Sequence, residues 1–361
     1  MFINDKENMD LMKARYITIQ GTLLLLLALT ACTGDEVPAS EFLPDEGTMP
    51  ICWNVIPEGR QDGRALIEDN ADLKAACTPG SGDMAIGIWS AFRFSRDSVK
   101  NVLGNETGDV ALVYRPSSYD WTYGNPAYWN RNLIYYFNAY FPKEGGLTSI
   151  ANDSTSLKGA YDTTTTQTDL MVTRVKVDTY DANFKASTVI LSMKHALATL
   201  KFIFLVDGGT DTNVLKSFSL DNTLKTAGTL NYNTDVLSIA NWTVGTASGN
   251  GRTYEWADNN GIPFTLTTGA VPFSTGNGIY QTNDGHVFII PQQCESAPTF
   301  NCTIDTDAFD NISYDNISLG TTQFEPGKNY IYTIKVRENA LKLTLSIKDW
   351  NELDTSYNID F

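Results

Sequence analysis

Short runs of alternating apolar and polar residues, each ended by Gly, Asn, Asp or Pro, recur along nearly the whole chain. A period of two sends successive side chains to opposite faces of a strand, so these runs can bury one face only as parts of sheets. The clearest is Met84 to Phe94, in which Ile86, Ile88, Phe92 and Phe94 fall on one phase of a two-residue alternation. Further strands are expected at 51–56, 110–114, 133–141, 169–175, 188–193 and 198–206. The second half continues with runs at 217–220, 229–232, 264–266, 287–290, 300–304, 330–336 and 341–347. Only Ala65 to Ala76 has a helical pattern, of one or two turns. Gly145 to Gln167, rich in Ser, Thr, Asp and Gly, reads as a long surface loop. The 17 Tyr, 17 Phe and 7 Trp suit pleated, half-buried surfaces and support an all-β chain built from β-sandwich domains.

The amino-terminal stretch sets the compartment. Met12-Lys13-Ala14-Arg15, an apolar run from Leu23 to Leu29 and the small residues before Cys32 make a secretory signal. The apolar run is far shorter than the roughly 20 residues of a membrane-spanning helix. Leu29-Thr30-Ala31-Cys32 resembles a bacterial lipobox, in which Cys32 becomes the lipidated mature terminus; the alternative is an ordinary signal peptide with an unrelated cysteine. Asp35 and Glu36, acidic just after Cys32, resemble the surface-export signal of Bacteroidota lipoproteins. Residues 1–11 are acidic and polar, which points to Met12 as the true start. The resulting plan is a leader at 1–32, a flexible tether at 33–50, an N-terminal sandwich at 51–187 and a C-terminal sandwich at 188–361.

Net charge is −16, from 26 basic and 42 acidic residues, which disfavours nucleic acid and anionic lipid headgroups as partners. With Cys32 assigned to lipid, four cysteines remain. Cys294 and Cys302 flank a short Pro-containing turn and are the favoured disulfide, followed by Cys52 with Cys77; buried free thiols are the alternative. His195 and His286 are the only histidines and stand too far apart, without HExxH, to nominate a metal or base site. Asp305, Asp307 and Asp310 lack the Gly and terminal Glu of a calcium loop and read as a solvated turn. No nucleophile elbow or phosphate loop occurs, so no catalytic residue, cofactor or metal is expected. Trp121, Tyr123, Tyr128 and Trp129 read either as core aromatics or as a sugar-stacking platform.

Several segments together resemble the fimbrillin family of Bacteroidales, the subunits of type V pili. They are 191–202 (Leu-Ser-Met-Lys-His-Ala-Leu-Ala-Thr-Leu-Lys-Phe), 287–292 (Val-Phe-Ile-Ile-Pro-Gln) and 324–332 (Phe-Glu-Pro-Gly-Lys-Asn-Tyr-Ile-Tyr). The last leads to Ile347-Lys348-Asp349-Trp350, and the Gly-Lys-x-Tyr-x-Tyr to Ile-x-Asp-Trp ending is the most specific element. Thr168-Asp169-Leu170-Met171 and 135–142 resemble N-terminal family segments. The resemblance implies two tandem transthyretin-like β-sandwich domains. It also implies anchoring in the outer membrane as a surface lipoprotein, and assembly with other pilus subunits into homo- or heteropolymeric fimbriae. In polymerising members an Arg-specific protease cuts after the first strand, and a neighbour's strand fills the groove left behind. Here the removable strand would be 51–56 and the cut would fall at Arg60 or Arg64. The donor would be the C-terminal segment, whose Tyr357, Ile359 and Phe361 alternate. The resemblance leaves stalk, tip and anchor subunits open. A non-polymerising surface lipoprotein that binds glycans or host ligands is the alternative, with a secreted hydrolase behind it.

Overall fold

The computed structural model describes residues 49–58 and 70–359, apart from 82–83, 96–97, 102, 104–108, 125, 154–155, 165–167, 182–183, 185–187, 208–211, 222, 235, 247–254, 259–262, 266–270, 275–278, 282–286, 307, 338–339 and 350–354. The first half contains β1 (Trp53–Pro57), the helix α1 (Asn70–Ala76), β2 (Ile86–Ser95), β3 (Ser98–Asn101), β4 (Val110–Arg115), β5 (Asp120–Thr122), β6 (Ile134–Phe141), β7 (Thr148–Asp153), β8 (Ser156–Asp162), β9 (Met171–Asp178) and β10 (Val189–His195). Then come β11 (Ala198–Val206), β12 (Thr212–Leu220), β13 (Ala227–Tyr232), β14 (Trp242–Val244), β15 (Glu255–Asp258), β16 (Pro263–Thr265), β17 (Val271–Ser274), β18 (Ile279–Gln281), β19 (Val287–Ile289), β20 (Gln292–Gln293), β21 (Thr299–Asp305), β22 (Ile312–Ser318), β23 (Gln323–Phe324), β24 (Lys328–Arg337), β25 (Ala340–Asp349) and β26 (Thr355–Ile359). The chain is all-β, as the alternation requires.

The C-terminal core lies between two sheets, one ordered β16-β15-β18-β11-β24-β25-β26 and the other β17-β12-β21-β22. Strict alternation drives it: Leu200, Phe202 and Phe204 on β11 and Tyr330, Tyr332 and Ile334 on β24 all face inward and are buried. β24 runs parallel to β11 from Thr199↔Asn329 to Val206↔Val336, which sets these side chains in matched rows. Phe202 stacks on Tyr332 at 5.1 Å and meets Phe218 and Phe300 at 4.8 and 5.9 Å. Aromatic contacts at these separations add to the area each ring removes from water.

The N-terminal core is built on a sheet ordered β1-β10-β9-β6-β2-β4-β5, with β3 added beside β2. Tyr135, Phe137, Ala139 and Phe141 of β6 face it, together with Ile86, Ile88, Leu112 and Leu73 of α1. β10 therefore pairs within the first sheet, with β1 and β9. The change from the first sheet to the next falls after His195, one strand later than the boundary expected at 187/188.

A third sheet, β14-β13-β8-β7, takes strands from both halves of the chain. β8 and β13 pair in register from Leu157↔Tyr232 to Asp162↔Ala227. Beneath this shared sheet a separate core gathers Tyr140 and Val172 of the first sheet, Leu157, Tyr161, Leu230 and Tyr232 of the shared sheet, and Ile290. The surface loop expected at 145–167 is thus corrected, because it forms the hairpin β7–β8. Its polar composition hides an inward row of Leu157, Gly159 and Tyr161. Gly159 is there because Leu147 occupies its side-chain space: a Cβ would lie 2.8 Å from Leu147 Cβ. Replacing Gly159 with Val is expected to destabilise the fold by about 1–3 kcal/mol through overpacking, seen as a lower urea midpoint with an unchanged slope.

Candidate functional site

The segment from Met49 to Glu58 is stitched to the N-terminal domain on two sides. On one, Trp129 N–H donates to Met49 O at 3.0 Å and Ile51 N–H to Ala127 O at 2.8 Å. On the other, β1 lies parallel to β10 in register from Trp53↔Val189 to Pro57↔Met193. Val189 N–H donates to Cys52 O, and Glu58 N–H to Met193 O. Among the described residues β1 ends its sheet, and no further strand of that sheet lies on its far edge. Its alternate residues Trp53, Val55 and Pro57 face inward. Trp53 packs edge-on against Phe137 at 5.1 Å and Tyr123 at 5.8 Å.

The magnitudes decide what this edge strand does. Burying a large apolar side chain contributes about 1.5–3 kcal/mol, and Ile51, Trp53 and Val55 are all buried. Together they amount to a large share of the roughly 5–15 kcal/mol by which a domain is stable. Without β1, the β10 edge would expose unpaired N–H and C=O groups beside an apolar trench. A cut between Glu58 and Asn70 would not itself expel β1, because it leaves these non-covalent contacts intact. Arg60 and Arg64 lie outside the described residues, between Glu58 and Asn70, as do Cys32, Asp35 and Glu36 of the leader region.

The C-terminal segment is paired with its own subunit. β26 continues the C-terminal sheet beside β25, with Tyr357 opposite Leu345 and Ile359 opposite Leu343. Phe361 lies outside the described residues.

The motifs that stood out in the sequence close three junctions. Gly327, at φ 70°, turns the chain into β24 and donates its N–H to Leu197 O at 2.8 Å. Lys328 then faces Asp349 across the β24–β25 ladder, and the two side chains form an ion pair. Asn329 meets Thr199, and Tyr330 Oη accepts the Glu325 N–H at 2.9 Å. His195 Nδ1 lies 2.8 Å from Asp169 Oδ2, both side chains being essentially inaccessible. This close polar contact is not aligned as a hydrogen bond. It joins the end of β10 to the approach of β9, where Ala196 N–H also donates to Leu170 O. Gln292 of the Pro-Gln motif accepts the Lys225 N–H and returns a bond to Lys225 O, at 2.9 and 3.0 Å. The individual motifs were legible; that His195 meets Asp169, and Lys328 meets Asp349, required the fold.

Residues 81–350 match the family model described as fimbrillin-like. The chain belongs to the fimbrillin-like family. Among solved structures it is similar to a candidate cell-adhesion protein from Bacteroides uniformis, at 16% identity and TM-score 0.44, over 84% of this chain and 99% of that one. It is also similar to the tip fimbrial protein Mfa3 of Porphyromonas gingivalis with a C-terminal truncation, at 12% and 0.36, over 74% and 95%. A third is a fimbrial assembly protein from Parabacteroides distasonis, at 9% and 0.37, over 86% and 99%. No curated protein matches the chain.

For this fimbrillin-like protein the structure decides between the two readings of the aromatic group and corrects the favoured disulfides. Trp121, Tyr123 and Trp129 are core residues, buried around Phe137 and Trp53, so they form no sugar platform. Only Tyr128 of that group is exposed. The Cys294–Cys302 disulfide is also absent, since both are free buried thiols, as is Cys77, which removes the Cys52–Cys77 pairing as well. Cys302 sits on β21 opposite Phe218 and Tyr314, whereas Cys294 is tied to Thr322 beside the β20–β23 pair. Each packs as a small apolar group in the C-terminal core. Asp305 pairs with Lys216 at 2.8 Å and accepts the Asn311 N–H, consistent with a structural turn.

Burial pushes Cys302 and Cys77 up to about 12, and Cys294 up to about 11, from an ordinary value of 9.0. The unfolded chain therefore releases these protons first. Their stabilising effect is complete below pH 9 and is lost as pH rises from about 9 to about 12. The urea midpoint is expected to fall across that window, less steeply in Cys302→Ala. Thiol titration should find these three cysteines unreactive in the native protein and reactive once it is unfolded.

Proposed function

We propose that this chain is a structural and adhesive subunit of cell-surface fimbriae, exported as a lipoprotein through Cys32 and held at the outer membrane until a protease frees it. An Arg-specific cut at Arg60 or Arg64 would separate β1 from the remainder, and a strand from a second subunit would then replace β1. The observation that carries this reading is the placement of β1. It is an edge strand, parallel to β10, plugging an aromatic trench. Strand replacement would restore both the backbone pairing and the apolar cover that β1 supplies. The donor would be the segment around Tyr357, Ile359 and Phe361, first released from β25. The two tandem sandwiches would be of the transthyretin-like type, sharing the sheet described above.

A permanently anchored or tip subunit is the second reading, favoured by the pairing of β26 within its own sheet. Digestion of the mature chain with an Arg-specific protease distinguishes them. The proposal expects a short N-terminal fragment ending at Arg60 or Arg64, a new terminus at Gln61 or Ala65, and ladders of oligomers. A monomer that keeps β1 under conditions where added trypsin cuts exposed loops would rule out polymerisation by this route.

A further inference from the structure

The outer face of the first sheet holds a second feature. Along β6, Tyr135, Phe137 and Ala139 face the core, so Tyr136, Asn138 and Tyr140 face the other way. Tyr140 and its neighbour Val172 lie beneath the shared sheet. Immediately above them the register sets Trp89, Asn138 and Arg174 in a row across β2, β6 and β9. Tyr136 and Lys176 follow, side by side, in the next row. The result is a step whose floor is this sheet face and whose wall is the shared sheet where the chain leaves β13 at Asn233. Arg174 is fastened to that wall, its Nη1 donating to Asn233 O at 2.9 Å. Among the described residues its Nε is buried and has no partner. Asn138 is fully buried in the floor, Trp89 and Tyr136 are partly exposed, and Lys176 is exposed.

We propose that this step binds an acidic saccharide. Partly exposed aromatic rings offer flat apolar surfaces to sugar C–H groups, and a fastened guanidinium fits a carboxylate in a planar, two-point geometry. Arg174 and Lys176 place two cations together on a chain of net charge −16, so the patch is locally complementary to an anion. Asp178, next on the same face of β9, accepts the Tyr180 N–H at 2.9 Å and turns its charge toward that turn. An extended acidic peptide fits less well: the site is a sheet face, whose backbone groups are already paired to β2, β6 and β9, and it offers no free edge for a strand. The site is separate from β1 and does not depend on strand exchange.

Calorimetry on the full mature chain tests it with trigalacturonate, neutral maltotriose and poly-glutamate as probes. Trigalacturonate is expected to bind and maltotriose to bind at least about tenfold more weakly, with Trp89→Ala costing about tenfold and Lys176→Gln about threefold. Lys176 is exposed, so its variant leaves the fold intact, and an unchanged melting temperature verifies this for both. The proposal is overturned if trigalacturonate binds no better than maltotriose, if Lys176→Gln leaves binding unchanged, or if poly-glutamate binds as tightly as the saccharide.

Discussion

The pairing of β1 against β10 is the contact on which the N-terminal half depends. It is the sheet's terminal ladder, and it runs parallel, so it joins residues more than a hundred positions apart in the chain. Trp53 plugs the aromatic trench formed by Phe137 and Tyr123, while the backbone on either side of it ties to β10 and to 127–129. A strand of this kind is costly to leave out, and the proposed exchange would have to replace what it supplies. Its contacts are too valuable to leave unmade, yet any extended segment with inward-facing apolar residues can make most of them. That combination is why the proposed assembly mechanism centres on this strand.

The two halves are not beads on a string. β8 and β13 share one sheet, and a core of their own lies beneath it. The crossover from β10 to β11 passes beside it and is held by the His195–Asp169 contact, by Ala196 bonded to Leu170 and by Gly327 bonded to Leu197. A force applied to one half of a fimbrial subunit would pass through these contacts to the other. The same shared sheet provides the wall of the step at Arg174, so one element both braces the halves and shapes the proposed saccharide site.

Much of the architecture was legible where burial is one-sided and continuous. β11, β24 and β25 were evident from alternation alone, because each buries every second residue along most of its length. The hairpin β7–β8 was hidden because Gly159 and the Ser, Thr and Asp around it resemble turn residues, although Leu157 and Tyr161 are core. The sheet to which β10 belongs was hidden for a different reason. Val189–His195 looks like any strand beginning a new domain, and only its long-range partners β1 and β9 assign it to the first sheet. Trp121, Tyr123 and Trp129 showed aromatic character without burial, and composition cannot separate a platform from a core. The row of Trp89, Asn138 and Arg174 is assembled by register across three strands, so no local pattern could have announced it.

Amide hydrogen exchange in Trp53→Ala measures the role of β1 most directly. If Trp53 anchors the edge strand, Val189 and Glu58, whose N–H groups bridge β1 and β10, exchange much faster in the variant. The β24–β25 ladder in the C-terminal core should keep its protection. Unchanged protection at Val189 and Glu58, or an equal loss across both cores, would contradict the account.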